Sequence, residues 1–202
     1  MKKEVRKKGT VKPMNVLFRK QPDIYVKPNA AQGLRDLFVD ELKYLYWAEN
    51  AYSRAIPNII SNASSDALIE TLTSSLNLAK IRIIRLKKIF TLLNEPPEPA
   101  RCEAMTGLIK ETEQIMIETE RGMVRDAGII FSGQKVKHYE IATYGTLCSF
   151  AKTLGEYKVA SFLQKTLLEE KSADKVLSVI AESTINIHAH AVNDNIFELY
   201  EP

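Results

Sequence analysis

The sequence LLEEKSADKVL, residues 167–177, places two carboxylates on the face of a helix that should be buried. Glu170 and Asp174 are four residues apart, which is about one helical turn. They fall in line with four apolar residues, Leu163, Leu167, Leu177 and Ile180. Because burying an isolated ionised carboxylate is very costly, we expect such acids to be paired, protonated or bound to a metal ion.

Apolar residues recur every three or four positions from residue 32 almost to residue 183, as is typical of amphipathic helices. The first predicted helix ends or kinks near Pro57, and Ser65 or Asp66 caps the start of the second. The sequence NEPPEP, residues 94–99, is a firm break. The predicted helices cover about 34–56, 66–93, 103–120, 124–154 and 157–183. Four long helices and one shorter segment predict an all-α protein, an antiparallel four-helix bundle. The short segment, 103–120, would form a helical crossover between the second and third long helices, 66–93 and 124–154.

The basic residues are concentrated at the N-terminus. Residues 1–31 contain nine Lys and Arg against two acids, although the formal net charge of the whole chain is only +3. We interpret 1–31 as a flexible basic arm, 32–184 as the bundle and 185–202 as a C-terminal tail. The arm is either a solubilising extension or a weak contact with nucleic acid or another polyanion.

The composition excludes several classes of protein. A hydrophobic content of 45% and a charged content of 26% are ordinary for a soluble globular protein. The sequence has neither the run of about 18 apolar residues that a membrane span needs nor the apolar segment of a signal peptide. Two cysteines are too few for a disulfide framework, so we expect a cytoplasmic protein. Motifs for nucleophilic or nucleotide chemistry are also missing.

Three predicted helices carry an acid within the apolar row near their middle. These acids are Glu49, Glu140, and Glu170 with Asp174. In an antiparallel bundle they would meet at a similar height, as the ligands of a di-iron or di-manganese carboxylate centre do. The alternative is that each is a boundary residue that reaches water. His138 is two residues from Glu140 and therefore points elsewhere.

Several stretches resemble the YciE/YciF-like stress-associated ferritin-like proteins. They are YLYWAENAY (44–52), RCEAMTGLIKETEQ (101–114), RDAG (125–128), QKVKHYEIATYGTL (134–147) and LLEEKSADKVL (167–177). The resemblance covers about 33–183 and implies a ferritin-like bundle, a homodimer, a cytosolic setting and a link to stress. It also implies that Glu49, Glu140, Glu170 and Asp174 match the inward-facing acids of the family.

The second helix departs from the family pattern. The family typically has a sequence like HLEET there, followed one turn later by Gln or His, whereas this chain has SLNLAKIR, residues 75–82. Asn77 and Leu78 stand at positions where the family pattern has ligands, and we call these the departed ligand positions. Arg82 stands where the family has a neutral ligand. A guanidinium cannot ligate a metal. We therefore predict that Arg82 pairs with Glu170 or Glu140 and compensates for a lost metal centre.

Three functions are consistent with the sequence. The first is a non-enzymatic, stress-associated structural or interaction protein without a cofactor. The second is a residual iron- or manganese-binding protein with ferroxidase- or peroxide-related activity, using Glu49, Glu140, Glu170 and Asp174 as ligands. The third is a polyanion-binding module that depends on the basic arm. Whether the protein is an enzyme stays open at this point.

Overall fold

Five α-helices make up most of the computed structural model, which describes residues 26–191. They are α1 (Leu34–Asn62), α2 (Asp66–Leu93), α3 (Glu103–Glu118), α4 (Met123–Thr153) and α5 (Tyr157–Ile180). A π-helical turn, Ala181–Ile185, follows α5, and helical residues continue to 191. The described residues contain no β-strand, and none of their helices is long and apolar enough to cross a membrane.

The four long helices form the predicted bundle. Helix α1 packs on α2 and α4, and α5 packs on α4 and α2, which closes a ring of four. The crossover from α2 to α4 contains α3, which packs against α4 and α1. The predicted all-α fold is confirmed.

The helix ends agree with the sequence except at two places. Helix α1 continues through Pro57 to Asn62, so an end at this proline is wrong. Ile56 and Ile59 are both buried beside it, and this packing offsets a proline cost of roughly 3 kcal/mol. The chain also stays helical to residue 191, beyond the expected boundary at 184, because Ile185 is buried in the core. Most of the predicted basic arm, residues 1–25, and residues 192–202 of the predicted tail lie outside the described residues.

The core consists of two apolar clusters. One contains Phe38 and Leu45 of α1 with Leu86, Leu147 and Leu163 of the other long helices. The other is built from residues such as Tyr52, Leu72, Met105, Val136 and Leu177. Each long helix contributes to both clusters and carries at least one buried charged residue between the two contributions. The polar side chains therefore separate the two clusters.

A buried aspartate of α4 caps α2. The N-cap residue is Ser65, which was one of the two residues predicted from the sequence. Its side chain makes no cap hydrogen bond. Instead Asp126, which is fully buried, accepts hydrogen bonds from the backbone N–H groups of Ser64 and Ser65, at 2.9 Å and 2.7 Å. A carboxylate in this place also interacts favourably with the positive end of the helix dipole.

Replacing Asp126 with alanine is expected to lower the free energy of unfolding by about 2 kcal/mol, because it leaves two backbone donors without their acceptor. Urea denaturation followed by circular dichroism measures this change. Asp126→Asn, which keeps one acceptor oxygen, should lose less. The exposed Asp40 offers a control, since Asp40→Ala should stay within about 0.5 kcal/mol. Equal stabilities for Asp126→Ala and Asp40→Ala would show that Asp126 is not a cap.

Candidate functional site

The polar cluster between the two apolar clusters draws on all four long helices. It contains three glutamates, two cations and a tyrosine that are at most 2% exposed: Glu49 of α1, Arg82 of α2, Lys137, Glu140 and Tyr144 of α4, and Glu170 of α5. We call these six residues the buried cluster. They face inward because each continues the apolar row of its helix.

Arg82 lies between two of the glutamates. Its Nη1 atom contacts Oε1 of Glu170, and its Nε atom is 3.6 Å from Oε1 of Glu49. The planar guanidinium presents donors in more than one direction, so one side chain can bind acids from two helices. Arg82 thus links α2 to both α1 and α5.

The ammonium of Lys137 lies between the other oxygens. Nζ donates to Oε2 of Glu140 and to Oε2 of Glu170, both at 2.6 Å. It also lies 5.4 Å from the ring centroid of Tyr52, close enough for a cation–π contact. Glu170 is therefore bound by Lys137 through one oxygen and by Arg82 through the other.

Tyr144 donates a hydrogen bond to Glu49, whose Oε2 atom has no hydrogen-bond partner among residues 26–191. Its hydroxyl donates to Oε1 of Glu49 at 2.7 Å. Burial raises the pKa of Tyr144, and the charge of Glu49 raises it further, so the phenol stays protonated and remains a donor. The pKa of Tyr52 is raised as well, first by burial and then by Glu140.

The charges of the buried cluster depend on one another. Burial raises the pKa of Glu49, and the positive charge of Arg82 opposes that rise. Burial also lowers the pKa of Lys137, and Glu140 opposes that fall. For Arg82 the effect of burial is outweighed by Glu49 and Glu140, so its pKa is raised and it remains a cation. An isolated charge at this depth would be very costly, which makes every member dependent on its partners.

Four of the residues predicted from the sequence meet in this cluster. Glu49, Glu140 and Glu170 each place one carboxylate oxygen within 4.8 Å of the others. Arg82, the predicted charge-compensating residue, contacts Glu170 and Glu49. The other predicted partner of Arg82 was Glu140. Among the described residues Arg82 forms no ion pair with Glu140, which pairs with Lys137 instead.

Asp174 does not join the three glutamates, contrary to the sequence-based expectation. Its Oδ1 atom is 3.5 Å from Nε2 of His138, which is largely exposed, as expected for a residue that points away from the cluster. Asp174 is one turn past Glu170 and has the spacing of an inward residue, so its local position does not explain this difference. The packing of α4 against α5 leaves its carboxylate at the boundary between these two helices.

Asn77 and Leu78 also lie away from the cluster. Asn77 is exposed, and Leu78 is half-buried in the wall of a groove between α2 and α5. The buried positions that precede Arg82 on α2 are Ser75 and Ala79. Neither Asn77 nor Leu78 therefore faces the buried cluster, and small side chains stand at the inward positions of α2.

Two members of the cluster, Tyr144 and Lys137, were not among the predicted site residues, and Lys137 is the charged one of the two. It is four residues after Gly133 and three before Glu140, so it belongs to the inward row of α4. That spacing was a usable signal. A lysine in an apolar row usually reaches water with its ammonium, however, and only the acids of the neighbouring helices hold this one inside.

The buried cluster does not fit a two-metal centre. A metal would need free carboxylate oxygens, whereas Lys137 already occupies one oxygen of Glu140 and one of Glu170. Arg82 stands on α2, the long helix that supplies no glutamate, and its guanidinium has no lone pair with which to bind a metal. Three carboxylates remain that could offer one oxygen each to a single ion, and Oε2 of Glu49 and Oε1 of Glu140 accept no hydrogen bond within the part of the chain that the structure describes.

A family model described as a domain of unknown function, DUF892, matches residues 33–190. The chain belongs to the DUF892 family. The match spans all five helices and therefore the whole buried cluster. The resemblance predicted from the sequence is confirmed by a relative, protein YciF of Escherichia coli, which is 36% identical over 154 residues; the aligned region covers 76% of this chain and 93% of YciF.

Solved structures agree with the DUF892 assignment. The crystal structure of the E. coli stress protein YciF is 35% identical, with a TM-score of 0.74, and the match covers 77% of this chain and 99% of YciF. YcfI of Rhodopseudomonas palustris is 36% identical with the same TM-score and coverage. A protein from Xanthomonas campestris pv. campestris, 18% identical with a TM-score of 0.65, shares the fold; the match covers 80% of this chain and 99% of that protein.

Proposed function

We propose that this protein is a ferritin-like, stress-associated bundle that acts without catalysis, as a structural or interaction protein. The observation that carries the proposal is the position of the Lys137 ammonium, 2.6 Å from oxygens of both Glu140 and Glu170. With Arg82 it supplies positive charge at the centre of the acids. The cations and acids then form an internal ionic network of side chains, in which Oε2 of Glu49 and Oε1 of Glu140 accept no hydrogen bond from the described residues.

Two further points support a role without catalysis. The side chains of the buried cluster are at most 2% exposed, so a substrate could touch them only if the helices separated. The E. coli relative is described as a stress protein, and YcfI is described as a candidate structural protein. Both descriptions suit a bundle whose surface, and not its centre, carries the function.

A retained iron or manganese site is the second candidate. It is favoured by the three glutamate oxygens that lie within 4.8 Å of one another. In this case Glu49, Glu140 and Glu170 would be the ligands, and the metal would supply redox chemistry for a ferroxidase- or peroxide-related activity. The ion would then share these glutamates with Arg82 and Lys137.

Metal analysis distinguishes the two candidates. We expect the protein, purified without a tag, to contain far less than one iron or manganese per chain. Titration with Fe(II) under anaerobic conditions should give no saturable heat. A double variant, Arg82→His with Lys137→Leu, removes both cations and serves as the comparison, once circular dichroism has shown that it is folded. Iron or manganese at one or more ions per chain in the parent protein would refute the charge-compensated cluster.

The proposal includes a cytoplasmic location and a homodimer. Cys102 and Cys148 are both free and buried, as suits a reducing compartment. The contact of the basic arm with a polyanion stays a prediction from the sequence.

A further inference from the structure

The outer face of α5 carries a row of exposed apolar side chains. Leu168, Val176 and Val179 are 58%, 44% and 55% exposed, and Ser172 stands in the same row, which advances in steps of four, four and three residues. Residues at this spacing lie on one face of a helix. Single apolar residues are common at a protein surface, but a continuous row of them is typical of a contact site.

Two lysines line one side of this row. Lys171 and Lys175 are exposed, and each immediately precedes a member of the row. Successive residues of a helix are about 100° apart, so both lysines lie on the same side of the row. The three acids of α5 contact α2, α4 or the buried cluster, and neither lysine forms an ion pair within residues 26–191. The outer face of α5 therefore has positive charge that its own helix does not neutralise.

A groove borders the other side of the row. It lies between α5 and α2 and has a volume of about 420 Å³. Ser172 and Val176 belong to both the row and the groove, which continues over Leu78 of α2. The acids of the groove, Glu70 and Glu169, lie across the row from the lysines. An occupant of this surface would thus meet positive charge on one side and space for an apolar side chain on the other.

We call this surface the α5 face. It consists of the groove together with Leu168, Lys171, Ser172, Lys175, Val176 and Val179.

Residues 192–202, VNDNIFELYEP, have the opposite charge and a matching apolar content. Asp194, Glu198 and Glu201 are acids, and the segment contains no Lys or Arg. Its centre, IFELY (196–200), combines large apolar side chains with one of these acids. The segment is therefore complementary to the α5 face in charge as well as in hydrophobicity.

The chain is long enough to bring this segment onto the α5 face. Helical residues continue from α5 to residue 191, so residue 191 lies about 18 Å beyond Val179 at a rise of about 1.5 Å per residue. A chain that turns back there covers up to about 3.3 Å per residue. It can pass Val179 by residue 197 and reach the level of Ser172 by residue 200, which brings IFELY opposite Val176.

We propose that residues 192–202 dock on the α5 face of the same chain, as an internal ligand. The apolar side chains of IFELY cover Val176 and Val179 and enter the groove, and the acids bind Lys171 and Lys175. Because the segment is tethered, its effective concentration is on the order of millimolar, so a weak contact is enough to populate the docked state.

The docked segment would close the α5 face to other partners until it is released. The matched family region ends at residue 190, so this contact is an addition to the family fold. The inference does not depend on the proposed function or on the buried cluster.

Proteolysis of the native full chain tests the contact on the side of the segment. Chymotrypsin cleaves after Phe197 only when this residue has left the α5 face, so cleavage should be about tenfold slower than in a synthetic peptide of the same eleven residues. Val176→Asp together with Val179→Asp places carboxylates against an acidic segment and should restore fast cleavage. Ile117 of α3, 77% exposed, is the matched control, so Ile117→Asp should leave the rate unchanged. Circular dichroism shows that each variant is folded.

Lysine reactivity tests the contact on the side of α5. In the variant Phe197→Asp with Leu199→Asp, acetic anhydride should modify Lys171 and Lys175 several-fold faster than in the parent chain. Lys158 is exposed on the same helix but outside the α5 face, and its rate should not change. Mass spectrometry gives the rate for each lysine.

Three results would contradict the docking. Cleavage of the parent chain as fast as that of the free peptide would show that the segment does not dock. Slow cleavage that Val176→Asp with Val179→Asp leaves unchanged would place the segment on another surface. Slow cleavage that becomes fast on dilution would show a contact between two copies, and the contact within one chain would then be wrong.

Discussion

Replacing Lys137 with methionine is expected to lower the free energy of unfolding by about 3–5 kcal/mol. Methionine has nearly the length of the lysine stem, so it fills similar space without the charge. One oxygen of Glu140 and one of Glu170 would lose a donor at 2.6 Å, in a place where water does not replace it. The loss comes mainly from stranding these acids. Urea denaturation followed by far-UV circular dichroism measures it, and an unchanged m-value shows that the unfolding transition is comparable.

Lys135→Met is the matched control for this experiment. Lys135 is also on α4 and binds Glu111 of α3, but both side chains are partly exposed to solvent. Removing such a pair should cost at most about 1 kcal/mol. Adding Glu140→Gln to Lys137→Met should recover part of the lost stability, since one stranded charge disappears. If Lys137→Met and Lys135→Met were equally stable, the ammonium of Lys137 would not hold the buried cluster together.

The helices could be predicted because most of their signals are local. The apolar row of α2 and the break at NEPPEP predicted that this helix ends at Leu93, and in the structure α2 ends at Leu93. Pro57 was misjudged because its effect depends on distant contacts. A proline disfavours the helix locally, but the burial of Ile56 and Ile59 against other helices favours its continuation. The sequence around Pro57 does not reveal which of the two effects is larger.

The acids of the buried cluster could be predicted, but their partners only in part. Glu49, Glu140 and Glu170 stand out because a carboxylate interrupts an apolar row. The direction of the Lys137 side chain depends on Glu170, which is 33 residues away along the chain and on another helix. Asp174 has the same local spacing as a true member of the cluster, yet its Oδ1 atom lies at the boundary, 3.5 Å from Nε2 of His138. The packing of α4 against α5 decides this, and no local pattern describes it.

The buried cluster also explains why two apolar clusters form one domain. The ionic contacts join α2 to α1 and α5, and α4 to α5, at the level where the apolar contacts of one cluster give way to the other. Such a network need not add stability over a well-packed apolar filling, because desolvation offsets much of the attraction. Breaking one partner is nevertheless costly, since the others are left without compensation. The network therefore fixes the alignment of the four helices at the middle of the bundle.

Replacing Arg82 with leucine is expected to lower the free energy of unfolding by about 3 kcal/mol or more, for the same reason. Glu170 would lose the contact at Oε1 and Glu49 would lose its nearby cation. Arg82→Lys should restore only part of the stability, because a compact ammonium on a shorter reach does not bind two carboxylates as the guanidinium fork does. Chemical denaturation of each variant gives these values.

A double-mutant cycle shows whether the effect of Arg82 passes through Glu170. Because the two side chains are in contact, Arg82→Leu and Glu170→Gln should show a coupling energy of about 1–3 kcal/mol, with the double variant more stable than the sum of the single changes predicts. Arg85→Leu is the comparison on the same helix; the side chain of Arg85 is 9% exposed, but its partner Glu169 is 22% exposed and still reaches water, so this loss should cost less than that of Arg82. Zero coupling, or an Arg82→Leu variant as stable as Arg85→Leu, would mean that the guanidinium does not compensate the acids. A measured coupling would show that Arg82 compensates the charge of Glu170, and that the free energy of unfolding depends on the contact between these two side chains.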